Sequence, residues 1–180
     1  MSCAVILVGG TWRDSHFRPL SFETPAPLLK VCDAEMIYHH IQALTHIPNL
    51  QTVFLVGNFD ESKFTPFIEK VKASLDVTCK YLKETDRLGT AGGLIHFKDE
   101  ILSSDWEDIV VTHHDLCSSF PMASLYQFHK SHKKVCTIMC TKTTPEESSK
   151  YGCYVTHPET NELLHHAEKP ESFVNDLVSC

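Results

Sequence analysis

The chain has 180 residues, 42% hydrophobic and 22% charged, a composition typical of one globular domain that buries about 70% of its unfolded surface. Lysine and arginine total 16 against 23 aspartates and glutamates, so the formal net charge is −7, and no basic run offers a contact for a nucleic-acid backbone. The opening MSCAVILVGG has no basic n-region and no segment approaches ~20 apolar residues, so we expect no signal peptide, no membrane span and a cytoplasmic protein.

The cysteines and histidines are numerous but lack metal-site spacing. The eight cysteines are scattered and mostly lie in apolar runs, which predicts reduced, mostly buried thiols. Twelve histidines raise the alternative of a zinc site. The chain contains no CxxC and no HExxH, and adjacent histidine pairs point different ways on a strand or helix, so we do not predict structural zinc.

Strands and helices are predicted to alternate through the first half of the chain. Residues 4–8 are fully apolar and end at Gly9 and Gly10, as a buried parallel strand entering a tight loop does. Three prolines keep residues 11–33 irregular. A helix is predicted over 36–44, a buried strand over 52–56 and an amphipathic helix over 61–75.

The same alternation continues in the second half. We predict a strand over 77–82, a glycine-rich turn at 88–93 leading into a helix around 94–97, and a strand over 108–112. A helix around 122–132, a strand around 135–141 and a hairpin formed by 154–156 and 162–167 follow. This order predicts an α/β fold with a doubly wound, mostly parallel, Rossmann-like sheet.

Ligands of such sheets sit beyond the carboxyl ends of the strands, so loops 9–30, 88–93, 113–117 and 151–153 are expected to share one face. Taken singly, each feature has two interpretations. Gly9 and Gly10 fit a phosphate loop or a plain turn, and the 88–93 segment opens a helix whose free N–H groups favour a polar ligand. Asp115 fits a magnesium ligand or a loop cap equally well.

Together the motifs resemble one known family. The chain presents, in this order, AVILVGG, FRPLSFETPAPL six residues later, LGTAGGL, HHDLCSSFP, YGCYV and EKP. Residues 4–180 thereby resemble the sugar-phosphate nucleotidyltransferases, and among them the GDP-mannose pyrophosphorylases (mannose-1-phosphate guanylyltransferases), nearest to the alpha-subunit type. The resemblance implies a nucleotide-diphospho-sugar transferase domain over residues 1–180, truncated on its C-terminal side and lacking the family's β-helix domain.

The resemblance also implies roles for individual residues. The family joins a sugar 1-phosphate to a nucleoside triphosphate and releases pyrophosphate, with catalysis by positioning and charge neutralisation. The implied nucleotide-binding residues are Val8, Gly9, Gly10, Leu88, Gly89, Thr90 and Gly92. Gly152, Glu168 and Lys169 would bind the sugar phosphate, and Asp115 would bind Mg²⁺.

Two cations of the family pattern are absent. Enzymes of the family carry Gly-Thr/Ser-Arg in the first loop and a Pro-Lys-Pro segment, whereas this chain has Asp14-Ser15-His16 and Pro25-Ala26-Pro27. A histidine is mostly neutral at pH 7 and cannot copy a bidentate guanidinium. Arg13 or Lys30 would have to substitute from a different loop position. We therefore assign no catalytic residue; His16 and Ala26 mark the two cation positions.

Three hypotheses follow. The first is a non-catalytic regulatory subunit that binds GDP-mannose or a related nucleotide and associates with a catalytic beta subunit. The second is an active guanylyltransferase that makes GDP-mannose from GTP and mannose 1-phosphate. The third is a truncated product without a separate role.

Overall fold

The computed structural model describes residues 1–10, 17–86, 88–142, 144, 147 and 149–170, together with the backbone of 178–179. The chain forms two compact units, Met1–Ser131 and His132–Cys180. Each unit is described by itself below. None of the helices in the described part of the chain has the length and apolar character needed to cross a membrane.

The first unit is built on a four-stranded parallel sheet. Its strands are β1 (Ser2–Gly9), β4 (Leu50–Gly57), β5 (Thr78–Lys83) and β6 (Asp108–His113), in the order β5-β4-β1-β6. A small antiparallel hairpin of β2 (Lys30–Val31) and β3 (Ala34–Glu35) lies apart from this sheet. The parallel sheet confirms the predicted fold class. Three of its strands are one to three residues longer than predicted, and the strand predicted over 77–82 is shifted by one residue.

Helices connect the successive strands of this sheet, and one more helix follows its last strand. They are α1 (Met36–Leu44), α2 (Glu61–Ser74), α3 (Gly89–His96), α4 (Lys98–Ile101) and α5 (Met122–His132). At the start of α2 the Asp60 side chain accepts a hydrogen bond from the Ser62 amide at 3.2 Å, which satisfies one of the unpaired N–H groups of the first turn. A 3-10 turn at Ala26–Leu28 lies within the segment that the prolines predict to be irregular.

Both faces of the sheet are covered, which explains why β1 reads as a continuous apolar run. Ala4, Ile6 and Val8 face a core that includes Ile41 of α1 and Phe64 of α2. Alternate residues of the same strand belong to a second core, which receives Ile101 of α4. Because successive side chains of a strand point to opposite faces of the sheet, this one apolar run contributes to both cores.

The second unit contains a three-stranded sheet. β7 (Gly152–Thr156) pairs antiparallel with β8 (Leu163–Glu168) and with β9 (Val178–Ser179), in the order β8-β7-β9. The predicted hairpin is confirmed, with each strand within two residues of its expected bounds.

Two predicted elements differ from the structure. Residues 135–141 form no strand, because β-branched side chains stabilise a strand only when a neighbour pairs with it, and Val135 is fully exposed. The helix predicted around 94–97 begins already at Gly89, as α3. Glycine disfavours helix by about 1 kcal/mol per residue, which explains why the glycine-rich segment is predicted as a turn. Gly93 is nevertheless a buried residue of this helix.

The cysteines are less buried than predicted. Of the described ones, Cys3, Cys79 and Cys153 are buried, whereas Cys32, Cys117, Cys136 and Cys140 are exposed. The exposed ones lie in turns and in the irregular segment that replaces the expected strand. Burial raises the pKa of the Cys3 thiol to about 11. That of Cys79 rises to about 12 for the same reason, so both thiols stay protonated at neutral pH.

Asp108, at the start of β6, provides a pH-dependent contribution to stability. Burial alone would raise the pKa of its carboxyl, but hydrogen bonds from Lys130 and Tyr126 outweigh burial and lower it. Lys130 Nζ lies 2.5 Å from Asp108 Oδ2. A lowered folded-state pKa adds stability that is present above the unfolded-state pKa and is lost as the pH falls through the folded-state value.

Asp108→Asn is therefore expected to lower the free energy of unfolding at pH 7 and to flatten its decline on acidification. Urea unfolding across the acidic range measures both effects. The exposed neighbour Asp105 supplies the control, Asp105→Asn, which should leave the curve unchanged. Equal acid sensitivity of Asp108→Asn and the unchanged chain would contradict this role.

Candidate functional site

Backbone hydrogen bonds tie the carboxyl ends of the four parallel strands together. The His114 amide donates to Leu7 O at 3.2 Å, which joins β6 to β1. Between β4 and β1, the Asn58 amide donates to Gly9 O at 3.2 Å, and the Glu84 amide donates to Gly57 O at 2.8 Å, joining β5 to β4. The strand ends thus form one continuous edge, where the first three predicted ligand loops begin.

Gly9 bends the chain at the end of β1. Its φ is +83°, a backbone conformation that side-chain-bearing residues rarely adopt. A Cβ there would lie 3.3 Å from Cε1 of His114, so the imidazole packs directly on the loop backbone. Val8 is fully buried beneath this turn and Gly10 is exposed above it.

His114 holds this turn as a neutral imidazole. Its Nδ1 lies 3.2 Å from Leu7 O, and because a carbonyl only accepts, Nδ1 carries the proton. Burial lowers the pKa of His114, although the Leu7 carbonyl and the Asp115 charge oppose this shift. Nε2 is then an acceptor at neutral pH.

Glu84 lies at the same edge, immediately after β5. The carboxylate lies under α3, where a Cβ on Gly93 would collide with Glu84 Oε1 and would lie 2.9 Å from Val56 Cγ1. Burial raises the pKa of the Glu84 carboxyl, and the nearby His96 opposes this. A half-buried carboxylate that accepts no hydrogen bond from the described side chains is a strong acceptor for N–H donors of a ligand.

The predicted base-binding segment forms the first turn of α3. Leu88, at the N-cap, makes no side-chain capping bond, so the amides of the first turn remain available. Gly89 has a φ of +73° with open space around it, and Thr90 is exposed. A Cβ on Gly92 would lie 2.5 Å from Leu88 Cβ, so glycine permits the close turn.

Of the two cation positions that the resemblance implies, the described residues include Ala26, whose side chain carries no charge. Ala26 is buried in the 3-10 turn, 8% exposed. Lys30 lies in the β2–β3 hairpin opposite Glu35. Burial alone would raise the pKa of the Glu35 carboxyl, but the hydrogen bond and charge of Lys70 lower it, with a smaller contribution from the charge of Lys30. His16, with Asp14 and Ser15, lies outside the described residues, as does Arg13.

Asp115 follows β6 in an exposed turn beside His114. Within the described ranges, no group of three or more His, Cys, Asp or Glu side chains is arranged to hold a metal ion. Magnesium is usually held by one or two carboxylates plus substrate phosphates and water, so one exposed aspartate fits as a single protein ligand.

The three predicted sugar-phosphate residues come together in the second unit. Gly152 pairs with Glu168 across the β7–β8 ladder, and a Cβ on Gly152 would lie 2.8 Å from Glu168 Oε2. The Lys169 amide donates to Tyr151 O at 3.1 Å, and Lys169 has a φ of +45°. Tyr154 stacks on His166 beside them, with ring centroids 4.8 Å apart.

Glu84 and His114 carry no predicted role from the sequence. Glu84 directly follows a strand of the sheet, and the rule that ligands lie beyond strand ends could have indicated it. His114 stands next to Asp115, but its packing on Gly9 depends on the β1–β6 register, which sequence spacing does not reveal.

This chain belongs to the nucleotidyl transferase family, whose profile matches residues 3–180. It is 46% identical, over its whole length, to a probable mannose-1-phosphate guanyltransferase of Schizosaccharomyces pombe. Over 98% of its length it is 45% identical to the mannose-1-phosphate guanylyltransferase regulatory subunit alpha of Dictyostelium discoideum and 39% identical to the protein of that name in Homo sapiens. The chain spans 44%, 43% and 42% of these three relatives, respectively.

Solved structures share the fold at low sequence identity. A UDP-glucose pyrophosphorylase complexed with UDP-glucose matches with a TM-score of 0.76 and 15% identity, over 99% of this chain and 73% of that one. A putative glucose-1-phosphate thymidylyltransferase from Bacillus anthracis matches with a TM-score of 0.74 and 18% identity, over 99% and 70%. Both confirm the nucleotide-diphospho-sugar transferase fold.

Proposed function

We propose that this chain is the nucleotide-binding part of an alpha-type regulatory subunit of mannose-1-phosphate guanylyltransferase, which binds GDP-mannose or a related nucleotide sugar without turning it over. The observation that carries the proposal is Ala26, a buried methyl group where enzymes of the family place a lysine. The names of the alpha-subunit relatives support it.

Phosphoryl transfer depends on positive charge near the triphosphate. Removing one such transition-state donor typically slows a reaction by ~10²–10³. Two family cations are replaced here, by His16 and Ala26, and Asp14 adds a negative charge. Lys30 lies opposite Glu35 in the β2–β3 hairpin, so the negative charge of Glu35 offsets that of the lysine there. These losses reduce turnover more than binding, because backbone amides still provide contacts for a nucleotide.

Backbone groups and one carboxylate would hold the nucleotide. The amides of Gly9 and Gly10 and the open first turn of α3, Leu88 to Gly92, suit phosphate and base contacts. Glu84 favours guanine, because its two oxygens complement the adjacent N1–H and N2–H₂ donors. Uracil presents carbonyl acceptors on both sides of its N3–H, which a carboxylate repels.

Gly152, Glu168 and Lys169 would bind the mannose phosphate portion. Asp115 would hold Mg²⁺, which neutralises phosphate charge when bound. The relatives' names also imply a catalytic partner, so we propose association with a beta subunit. Light scattering of this chain mixed with a catalytic beta subunit tests that association; two separate species at micromolar concentration would exclude it.

Two measurements separate regulation from catalysis. Isothermal titration with GDP-mannose is expected to give saturable heat, and the absence of heat at millimolar ligand would leave only a product without a role. Pyrophosphate release from GTP, mannose 1-phosphate and Mg²⁺ is expected to be far below ~1 s⁻¹, the low end of common enzyme rates. Turnover near that rate would instead establish an active guanylyltransferase.

Glu84→Gln is expected to weaken GDP binding about tenfold or more, because a charge-assisted hydrogen bond contributes about 1.5–3 kcal/mol. ADP binding should change much less, so discrimination between the bases falls. Glu100→Gln, an exposed change on α4, is the matched control. Equal losses for GDP and ADP would assign Glu84 a structural role instead.

A further inference from the structure

A separate cavity of about 420 Å³ lies between the segment around Ser21 and the start of α2. Its volume falls in the range of about 300–1,000 Å³ typical of small-molecule sites. The lining residues that matter here are Ser21, Glu23, Pro25, Phe59, Asp60 and Lys63. None of them belongs to the predicted nucleotide or sugar-phosphate residues.

Ser21 is an unsatisfied polar group at this cavity. It is 1% exposed, and its Oγ has no hydrogen-bond partner within the described residues. A buried hydroxyl without a partner costs free energy, so such a group calls for an explanation. The Oγ is itself buried, so it reaches a ligand in the cavity only by rotation about Cα–Cβ, and that rotation breaks no hydrogen bond.

The apolar wall of the cavity is held in place before any ligand arrives. The Tyr81 hydroxyl accepts from the Phe59 amide at 2.9 Å and donates to Phe59 O at 3.0 Å, so one phenol holds both backbone polar groups of Phe59. Pro25 is buried and rigid on the other side. Pre-organised walls reduce the ordering cost of binding.

The charges around the cavity argue against an anionic ligand. Glu23 and Asp60 carry two negative charges against the single positive charge of Lys63. Lys63 Nζ donates to Glu23 O at 3.4 Å, and the Asp60 carboxylate already caps α2. The net negative charge repels phosphates, while the carboxylates still accept hydrogen bonds from neutral donors.

We propose that this cavity binds an uncharged sugar ring, with its apolar face on Phe59 and Pro25 and its hydroxyls on Ser21, Asp60 and Lys63. A sugar hydroxyl both donates and accepts, so one ligand can satisfy a carboxylate, an ammonium and a serine hydroxyl together. This site is independent of the proposed nucleotide function.

The test is a titration of the isotopically labelled chain with D-mannose, followed by the amide NMR shifts of Ser21, Phe59 and Lys63. Saturable shifts are expected. Ser21→Ala should weaken mannose binding about 5- to 10-fold, the loss of one hydrogen bond. Its melting temperature should stay the same or rise, since the buried hydroxyl has no partner to lose.

Ser74→Ala, at the other end of α2, is the matched control and should bind mannose unchanged. Mannose 1-phosphate should leave the three amides unshifted, because the cavity repels anions. No saturable shift with mannose, or unchanged affinity in Ser21→Ala, would overturn the proposal. Shifts at Gly9 and Glu84 on adding GDP-mannose report the nucleotide site separately, so either site can fail alone.

Discussion

The double variant His16→Arg with Ala26→Lys is expected to release pyrophosphate from GTP and mannose 1-phosphate at least ~10²-fold faster than the unchanged chain. On the proposed function, each substitution places one cation at a position where the family pattern carries one. Ala26 is buried, but a lysine can place its stem along the turn and its ammonium outside. Release is measured with Mg²⁺ present, together with the melting temperature.

Ser103→Lys with Ser104→Arg adds the same charge at the opposite edge of the sheet, in the exposed turn before β6. Both pairs change the formal charge from −7 by +2, to −5. An equal gain in the control would show that general attraction, and not placement, limits the rate. No gain in either pair would mean that the absent cations are not the cause of low turnover.

Phe64→Ala should lower the free energy of unfolding by about 3–5 kcal/mol, the usual cost of emptying a buried aromatic site. Phe64 is fully buried, and its ring stacks on Tyr81 with centroids 4.5 Å apart. Such a loss is a large part of the ~5–15 kcal/mol that stabilises a typical domain.

Urea unfolding measures this loss, with Val135→Ala as the control. Val135 is fully exposed, so its truncation should stay within about 0.5 kcal/mol. Because Tyr81 also holds Phe59, the loss at Phe64 should reduce amide protection at the start of α2 as well. A loss below about 1 kcal/mol would mean that the core closes around the missing ring.

The local pattern of apolar and polar residues in the sequence predicts most of the helices and strands. The bounds of α1 and α5 match the predicted helices because apolar residues recur at helical spacing, and Pro48 lies shortly beyond the end of α1. Residues 135–141 were predicted wrongly because strand formation depends on a pairing neighbour and not only on side-chain type.

The candidate site is harder to predict from the sequence than the fold is. The glycines and Asp115 stand out in the sequence, since turns and strand ends have recognisable residue types. The position of Glu84 under Gly93 arises from the packing of α3 on β4, and the contact between His114 and Gly9 arises from strand register. The roles assigned to all these residues remain predictions for the experiments above.

The bonds from His114, Asn58 and Glu84 to the neighbouring strand ends all use main-chain amides and carbonyls. Side-chain substitutions can therefore remove charge from the loops without breaking the main-chain hydrogen bonds that join the strand ends where the loops begin. A lineage that begins with an enzyme can lose turnover by one or two substitutions and still keep its affinity for the nucleotide. Selection can then act on binding alone, which gives a direct evolutionary route from catalyst to ligand sensor.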